Sequence, residues 1–161
     1  FSYKTFFNSN KFVHHKKFIA PVGTKIVGMN EYQISDLDII LKNTTNQDIF
    51  LKIDIEGSEY RILDQIIKYQ SLFTGMVIEF HECDLHKKTI KDFNEKFDLQ
   101  LVHLHVNNWG LINPGGFPAS LELTFSPRKF NQIMNDTKDT FPRTLDQPCN
   151  PLFQDTPVQF E

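Results

Sequence analysis

The chain has only two cysteines, Cys83 and Cys149, and no C-x-x-C pair. Neither a zinc or redox motif nor a disulfide framework is therefore supported. No apolar run approaches the ~20 residues that a bilayer-spanning helix needs, so no membrane span is expected. Neither sign of charge dominates. Seventeen Lys and Arg against 20 Asp and Glu leave a net charge of -3, which offers no electrostatic footprint for nucleic acid. The short basic cluster His14, His15, Lys16 and Lys17 reads as a solvated turn or strand edge. Glycine is sparse, and its one tandem pair, Gly115-Gly116, follows a proline and leads into a strand, whereas phosphate cradles open a helix. The nucleophile elbow G-x-S-x-G and the zinc helix H-E-x-x-H are both missing. The first residues, Phe1-Ser-Tyr-Lys, have no initiator Met and do not read as a secretory signal. The expectation is a cytoplasmic domain cut from a longer chain.

What is present is an ordinary globular composition of 161 residues, with 40% hydrophobic residues and 16 phenylalanines, enough for a single core. Residues 1–20 show little periodicity beyond a short strand candidate at Phe12-Val13. Pro21 and Gly23 break the chain, and Lys25–Met29 is a further strand candidate. Ser35 is placed to cap a short helix over Asp36–Leu41, and Asn43–Asp48 is a polar loop. Ile49–Ile55 is almost continuously apolar, as a strand buried on both faces would be. Ser58–Gln70 then reads as a helix, with Ile62, Leu63, Ile66 and Ile67 inward and Glu59, Arg61, Asp64 and Lys68 outward. Strands over Gly75–Phe80, Leu99–Val106 and Ala119–Phe125 follow, with a helix over Lys87–Phe97 after the first of them. Strand–helix–strand–helix–strand implies an α/β fold with three parallel strands. The Asn107–Pro118 loop suits an antiparallel return, which makes the last strand the opposed one. Residues 126–161, with five prolines, read as an extended tail, giving a domain over 1–127 and a tail over 128–161.

Polar groups that are costly to bury unpaired gather at the strand ends. The first ends on Asp54 and Glu56, the second on Glu79, His81 and Glu82, and the third on His103, His105, Asn107 and Asn108. Ligands in open α/β sheets lie beyond the carboxyl ends of the strands, so three such ends on one rim point to a site. Side-chain alternation puts Asp54 with Glu56, Glu79 with His81, and His103 with His105. Glu59, in a first helical turn, is accounted for by the helix dipole, and Glu56 serves equally as a loop anchor. His103 reads as core. Trp109 either packs over the sheet edge or stacks on a substrate.

The run Leu51-Lys-Ile-Asp-Ile-Glu-Gly-Ser-Glu-Tyr-Arg-Ile-Leu63 closely resembles the signature of FkbM-type methyltransferases, which use S-adenosylmethionine. Ile34–Asp38 is similar to the segment that precedes that signature, and Val77–His81 and Leu121–Phe125 are similar to its later strands. The resemblance covers roughly residues 25–127. It implies a Rossmann-like class I methyltransferase sheet, mostly parallel with an antiparallel last strand, and O-methylation of a small molecule or sugar hydroxyl. The family's glycine-rich cofactor loop has no counterpart before Ile49, so the resemblance is to the carboxyl half of the domain, without its N-terminal strands and with an open sheet edge suited to a homodimer. On this reading Asp54 and Glu56 bind the cofactor, with Asp54 at its junction with the acceptor. His81 is the base and Glu79 orients it, while His105, Asn107, Asn108 and Trp109 contact the acceptor. No metal ligand is assigned. Two rivals stand beside it: an interaction module pairing through its open edge, and a metal-dependent enzyme built on Asp54, Glu79, His81 and His105.

Overall fold

Largely apolar residues in four runs of chain build a mixed four-stranded sheet, which carries the core of its own part of the molecule. The computed structural model describes residues 17–20, 24, 33–44, 48–127 and 140–159. The strand candidates at Phe12-Val13 and Lys25–Met29, the Pro21 and Gly23 break, His14–Lys16, the centre of the Asn43–Asp48 loop and the first third of the tail lie outside them. The chain gathers into two units, residues 1–43 and 44–161. In the first, β1 (Lys17–Ile19) and β2 (Gln33–Ser35) pair in parallel and α1 spans Leu37–Lys42. Asp36, not Ser35, caps that helix: its carboxylate accepts from the Asp38 amide at 2.8 Å, while Ser35 closes β2.

The second unit holds β3 (Ile49–Ile53), α2 (Leu63–Lys68), β4 (Phe73–Phe80), α3 (Cys83–Lys96), β5 (Gln100–Val106), β6 (Leu121–Ser126), β7 (Thr140–Phe141) and β8 (Val158–Gln159). The sheet order is β3-β4-β6-β5, with β3 parallel to β4 and β6 antiparallel to both of its neighbours. Strands β3, β4 and β5 thus point the same way. The sheet is nevertheless not mostly parallel, as the sequence suggested. The loop return sends β6 back between β4 and β5, and that insertion makes two of its three ladders antiparallel.

Strand β3 is the terminal strand and alternates rather than being buried on both faces. Ile53 is buried, whereas Phe50 is 63% exposed and lies over Gly75 of β4. The helix expected over Ser58–Gln70 is broken into a 3-10 turn at Glu59–Arg61, α2, and a second 3-10 turn at Gln70–Leu72. The break falls at Ile62, whose φ of -116° leaves the helical range. Helix α3 starts four residues before the expected Lys87, because the Cys83 amide donates to Ala119 O and Glu82 supplies the left-handed residue that turns the chain out of β4.

One sheet face is apolar. Met76, Ile78 and Phe80 of β4 lie beside Phe125, Leu123 and Leu121 of β6, and all six are buried. Phe93 of α3 and Phe97, which caps its end, meet Phe125 edge-on at 6.0 and 5.3 Å between ring centroids, a geometry favoured by ring quadrupoles. The opposite face is polar, carrying Glu79, Glu122, Thr124, His103 and His105, and the C-terminal segment lies along it through His103–Asp146 and His105–Asp155 contacts. The last twenty described residues therefore belong with the sheet. Among the described residues no helix is long and apolar enough to cross a membrane.

Phe125 is 1% exposed at the centre of the aromatic cluster. Phe125→Ala is expected to cost about 3–5 kcal/mol, the range for a phenylalanine cavity, and a urea unfolding midpoint measures it.

Candidate functional site

The three same-direction strands end on one rim, where β6 begins. The register aligns Ile53 with Ile78, Phe80 with Leu121, and Val106 with Leu121. The residues just beyond these pairs enclose a cleft of about 430 Å³ lined by Asp54, Glu56, Glu79, His81, Asn107, Trp109, Gly110 and Ser120. Five of these, Asp54, Glu56, Glu79, His81 and Asn107, are residues that the strand-end argument singled out, and Trp109 was weighed beside them. Ser120, at the entry to β6, was not among them.

The turn after β3 is held by Glu59. Its side chain is fully buried, and Oε1 accepts from the amides of Ile55 at 3.0 Å and Gly57 at 3.3 Å. The same oxygen lies 3.1 Å from His81 Nδ1. Glu59 Oε2 has no hydrogen-bond partner. The outward placement of Glu59 read from the sequence is thus overturned. Glu59, Ile62, Leu63 and Ile66 recur at i, i+3, i+4 and i+7, so one carboxylate occupies the first position of the apolar stripe. Between the two amides it fixes, the backbone passes through the left-handed region at Glu56 (φ 55°) and Gly57 (φ 92°). A non-glycine residue there costs free energy, and such residues cluster at functional sites. The turn leaves Glu56 and Asp54 exposed at the mouth of the cleft.

His81 is clamped from both sides of its ring. Glu59 takes Nδ1, while Nε2 faces Glu56 Oε2 at 3.4 Å and Glu79 Oε1 at 3.6 Å. With the Nδ1 proton donated to Glu59, Nε2 is the nitrogen presented to the cleft. Glu59 is the carboxylate within hydrogen-bond distance of the ring, and Glu79 lies farther off on its other side. Glu79 is itself held by the Asn107 amide at 2.7 Å and approached by the Ser120 hydroxyl at 3.4 Å. The His81 carbonyl accepts from the Tyr60 hydroxyl, and the Tyr60 ring stacks on His86 at 3.9 Å. Burial, followed by the neighbouring Cys83, raises the Tyr60 phenol well above its ordinary pKa. Burial likewise pushes the Cys83 thiol up to about 12, which makes it a packing residue and not a nucleophile.

Asn107 Oδ1 turns back to accept from the Trp109 amide at 3.0 Å. Trp109, two-thirds exposed, stands at the cleft wall with its indole N–H donated to Cys149 O at 3.1 Å. Two residues expected at the site are placed elsewhere. His105 shares the polar face with Glu79 but sits farther along the sheet, under the C-terminal segment, between Glu122 at 3.1 Å and Asp155 at 2.9 Å. Burial opposes its charged form, but the hydrogen bonds and charges of Asp155 and Glu122 outweigh burial and leave its pKa above the ordinary histidine value. Asn108 faces the same segment, accepting from the Asn150 amide and donating to Asn150 O. Both are committed to that segment because residues 149–155 return to the rim, a contact that no local pattern around residue 105 records. Asp54, Glu56 and His81 each bring a ligand atom within 4.8 Å of the others, a set that suits a hard or borderline divalent cation.

Glu59→Ala removes the acceptor of two backbone amides and is expected to cost about 2–4 kcal/mol, summing two lost bonds of which each leaves a donor unpaired. Glu59→Gln, which keeps Oε1, is expected to lose less than half of that. Thermal or urea unfolding of the two variants orders them. No family model, no curated protein and no solved structure matches this chain.

Proposed function

We propose that the rim cleft is the acceptor-side half of an S-adenosylmethionine-dependent O-methyltransferase site. The observation that carries this reading is the convergence of Asp54, Glu56, Glu79 and His81 on one cleft at the carboxyl ends of β3 and β4, the first two supplied by the strand–turn–helix run of residues 51–63. A last strand opposed to the other three supports a Rossmann-like class I sheet, and the terminal position of β3 leaves one sheet edge where further strands would pair. The cleft chemistry fits the cofactor. Three carboxylates and no Lys or Arg line it, which favours the ammonium and sulfonium charges of the cofactor over a phosphate-bearing ligand.

When bound, the cofactor supplies a methyl group on a positively charged sulfur. Asp54 and Glu56 would hold its cationic end at the mouth of the cleft. Methyl transfer to an alcohol is an in-line displacement in which positioning provides much of the acceleration. The acceptor hydroxyl must also give up its proton, and His81 Nε2 is the base offered to the cleft, its ring fixed at Nδ1 by Glu59. Asn107 holds Glu79 in place, and Trp109 offers a flat apolar wall to a sugar or small-molecule acceptor.

A second reading rests on the gathering of Asp54, Glu56 and His81: a metal-dependent enzyme in which these three replace the sequence-based set that included His105. A third, pairing with another copy through β3, is favoured by the exposed Phe50 on that edge.

Isothermal titration of S-adenosylmethionine into the chain, and into any longer form that carries an upstream glycine-rich loop, is expected to give saturable binding. Asp54→Asn is expected to weaken it at least tenfold, equivalent to about 1.4 kcal/mol, within the range of one charge-assisted hydrogen bond. His81→Gln is expected to leave affinity within threefold and to abolish most turnover. Unchanged affinity and turnover in Asp54→Asn would refute the assignment, and a heat with Mn²⁺ but none with the cofactor would favour the second reading.

A further inference from the structure

A second constellation lies on the polar sheet face, apart from the cleft lining. His105 of β5, Glu122 of β6 and Cys149 of the C-terminal segment bring an imidazole, a carboxylate and a thiol within 4.8 Å of one another. Their separations are 3.1 Å for His105 Nδ1 to Glu122 Oε2, 3.8 Å for His105 Nδ1 to Cys149 Sγ, and 3.9 Å for Cys149 Sγ to Glu122 Oε2. A tetrahedral zinc with ordinary bond lengths would set its nitrogen and oxygen ligands about 3.3 Å apart and its sulfur about 3.6 Å from either. The triangle is thus within a few tenths of an ångström of one face of that tetrahedron.

The fourth partner strengthens the case. His105 Nε2 lies 2.9 Å from Asp155 Oδ2, and both side chains are nearly buried. A metal-bound histidine characteristically donates its other ring N–H to a carboxylate, which fixes the ring and raises its basicity. Charge balances as well, since thiolate and carboxylate together neutralise a dication.

We propose that His105 Nδ1, Glu122 Oε2 and Cys149 Sγ bind one zinc ion, with Asp155 orienting His105. The mixed nitrogen, oxygen and sulfur set selects zinc over magnesium or calcium, which take oxygen ligands. On binding, the Cys149 thiol proton and any extra His105 ring proton pass to solvent, and three metal–ligand bonds form with no change of oxidation state. The ion joins β5 and β6 to a segment more than twenty residues farther along the chain. It therefore fastens that segment to the sheet beside Trp109, whose indole is bonded to the Cys149 carbonyl. The fourth coordination position is left for water.

Cobalt(II) titration of the metal-stripped protein tests this, followed by zinc competition against a chromophoric chelator. The expected result is one equivalent of cobalt, with a thiolate-to-cobalt charge-transfer band and tetrahedral d–d absorption, displaced by zinc. Cys149→Ser is expected to abolish the charge-transfer band, and Asp155→Asn to weaken zinc 10- to 100-fold with the band retained. Cys83→Ser and Asp54→Asn are expected to leave the spectrum unchanged, which separates this site from the other thiol and from the cleft. Circular dichroism verifies the fold of each variant. If Cys149→Ser does not fold, the charge-transfer band of the parent and the graded loss in Asp155→Asn decide the question. Absence of cobalt binding, a cobalt spectrum without a thiolate band, or loss of the band in Asp54→Asn but not in Cys149→Ser would overturn the proposal.

Discussion

The cleft depends on one buried carboxylate. Glu59 binds the two amides that shape the turn after β3 and, through the same oxygen, meets the imidazole at the end of β4. Charge in a dry environment is costly unless it is hydrogen-bonded, and the Glu59 side chain repays that cost by fixing three groups that otherwise have no mutual constraint. The left-handed backbone at Glu56, the outward aim of Asp54 and the ring orientation of His81 all follow from it. A second left-handed residue, Glu82, performs the matching turn after β4, where Cys83 donates through Sγ to the Phe80 carbonyl. Both strand tips are thus bent sharply by local bonding, and the polar groups between them face the same volume.

The sheet explains why so many titratable groups are tolerated together. Its apolar face carries the core, with Ile66, Met76, Ile78, Phe80 and Phe125 essentially inaccessible. Its polar face is relieved by pairing: His103 with Asp146, His105 with Asp155 and Glu122, and Glu79 with Asn107. The contacts to Asp146 and Asp155 reach a segment distant in sequence, so the polar face is a set of cross-links as well as a surface. Such pairs contribute register and specificity more dependably than net stability.

The sequence displayed the strand ends clearly, because apolar runs that stop abruptly on carboxylate, imidazole and amide locate both the sheet and its rim. Asp54, Glu79, His81 and Asn107 were legible for that reason. Glu59 was hidden by an ambiguity: a carboxylate in a first helical turn has an adequate explanation in the helix dipole, and only the i, i+3, i+4, i+7 spacing with Ile62, Leu63 and Ile66 marks it as inward. The order of the strands was obscured because a loop length shows that β6 returns antiparallel but not that it inserts between β4 and β5. His105 and Cys149 were unreadable as neighbours. Forty-four positions separate them, and the proline-rich segment that closes the gap carries no period from which a docking position could be inferred.

The anchoring of Asn108 and Trp109 to residues 149 and 150 has a consequence for biosynthesis. One wall of the cleft is secured by a segment that leaves the ribosome 40 residues after Trp109. A nascent polypeptide can pair all four sheet strands and still present an unfinished pocket, so ligand capture is deferred until synthesis of this region is complete.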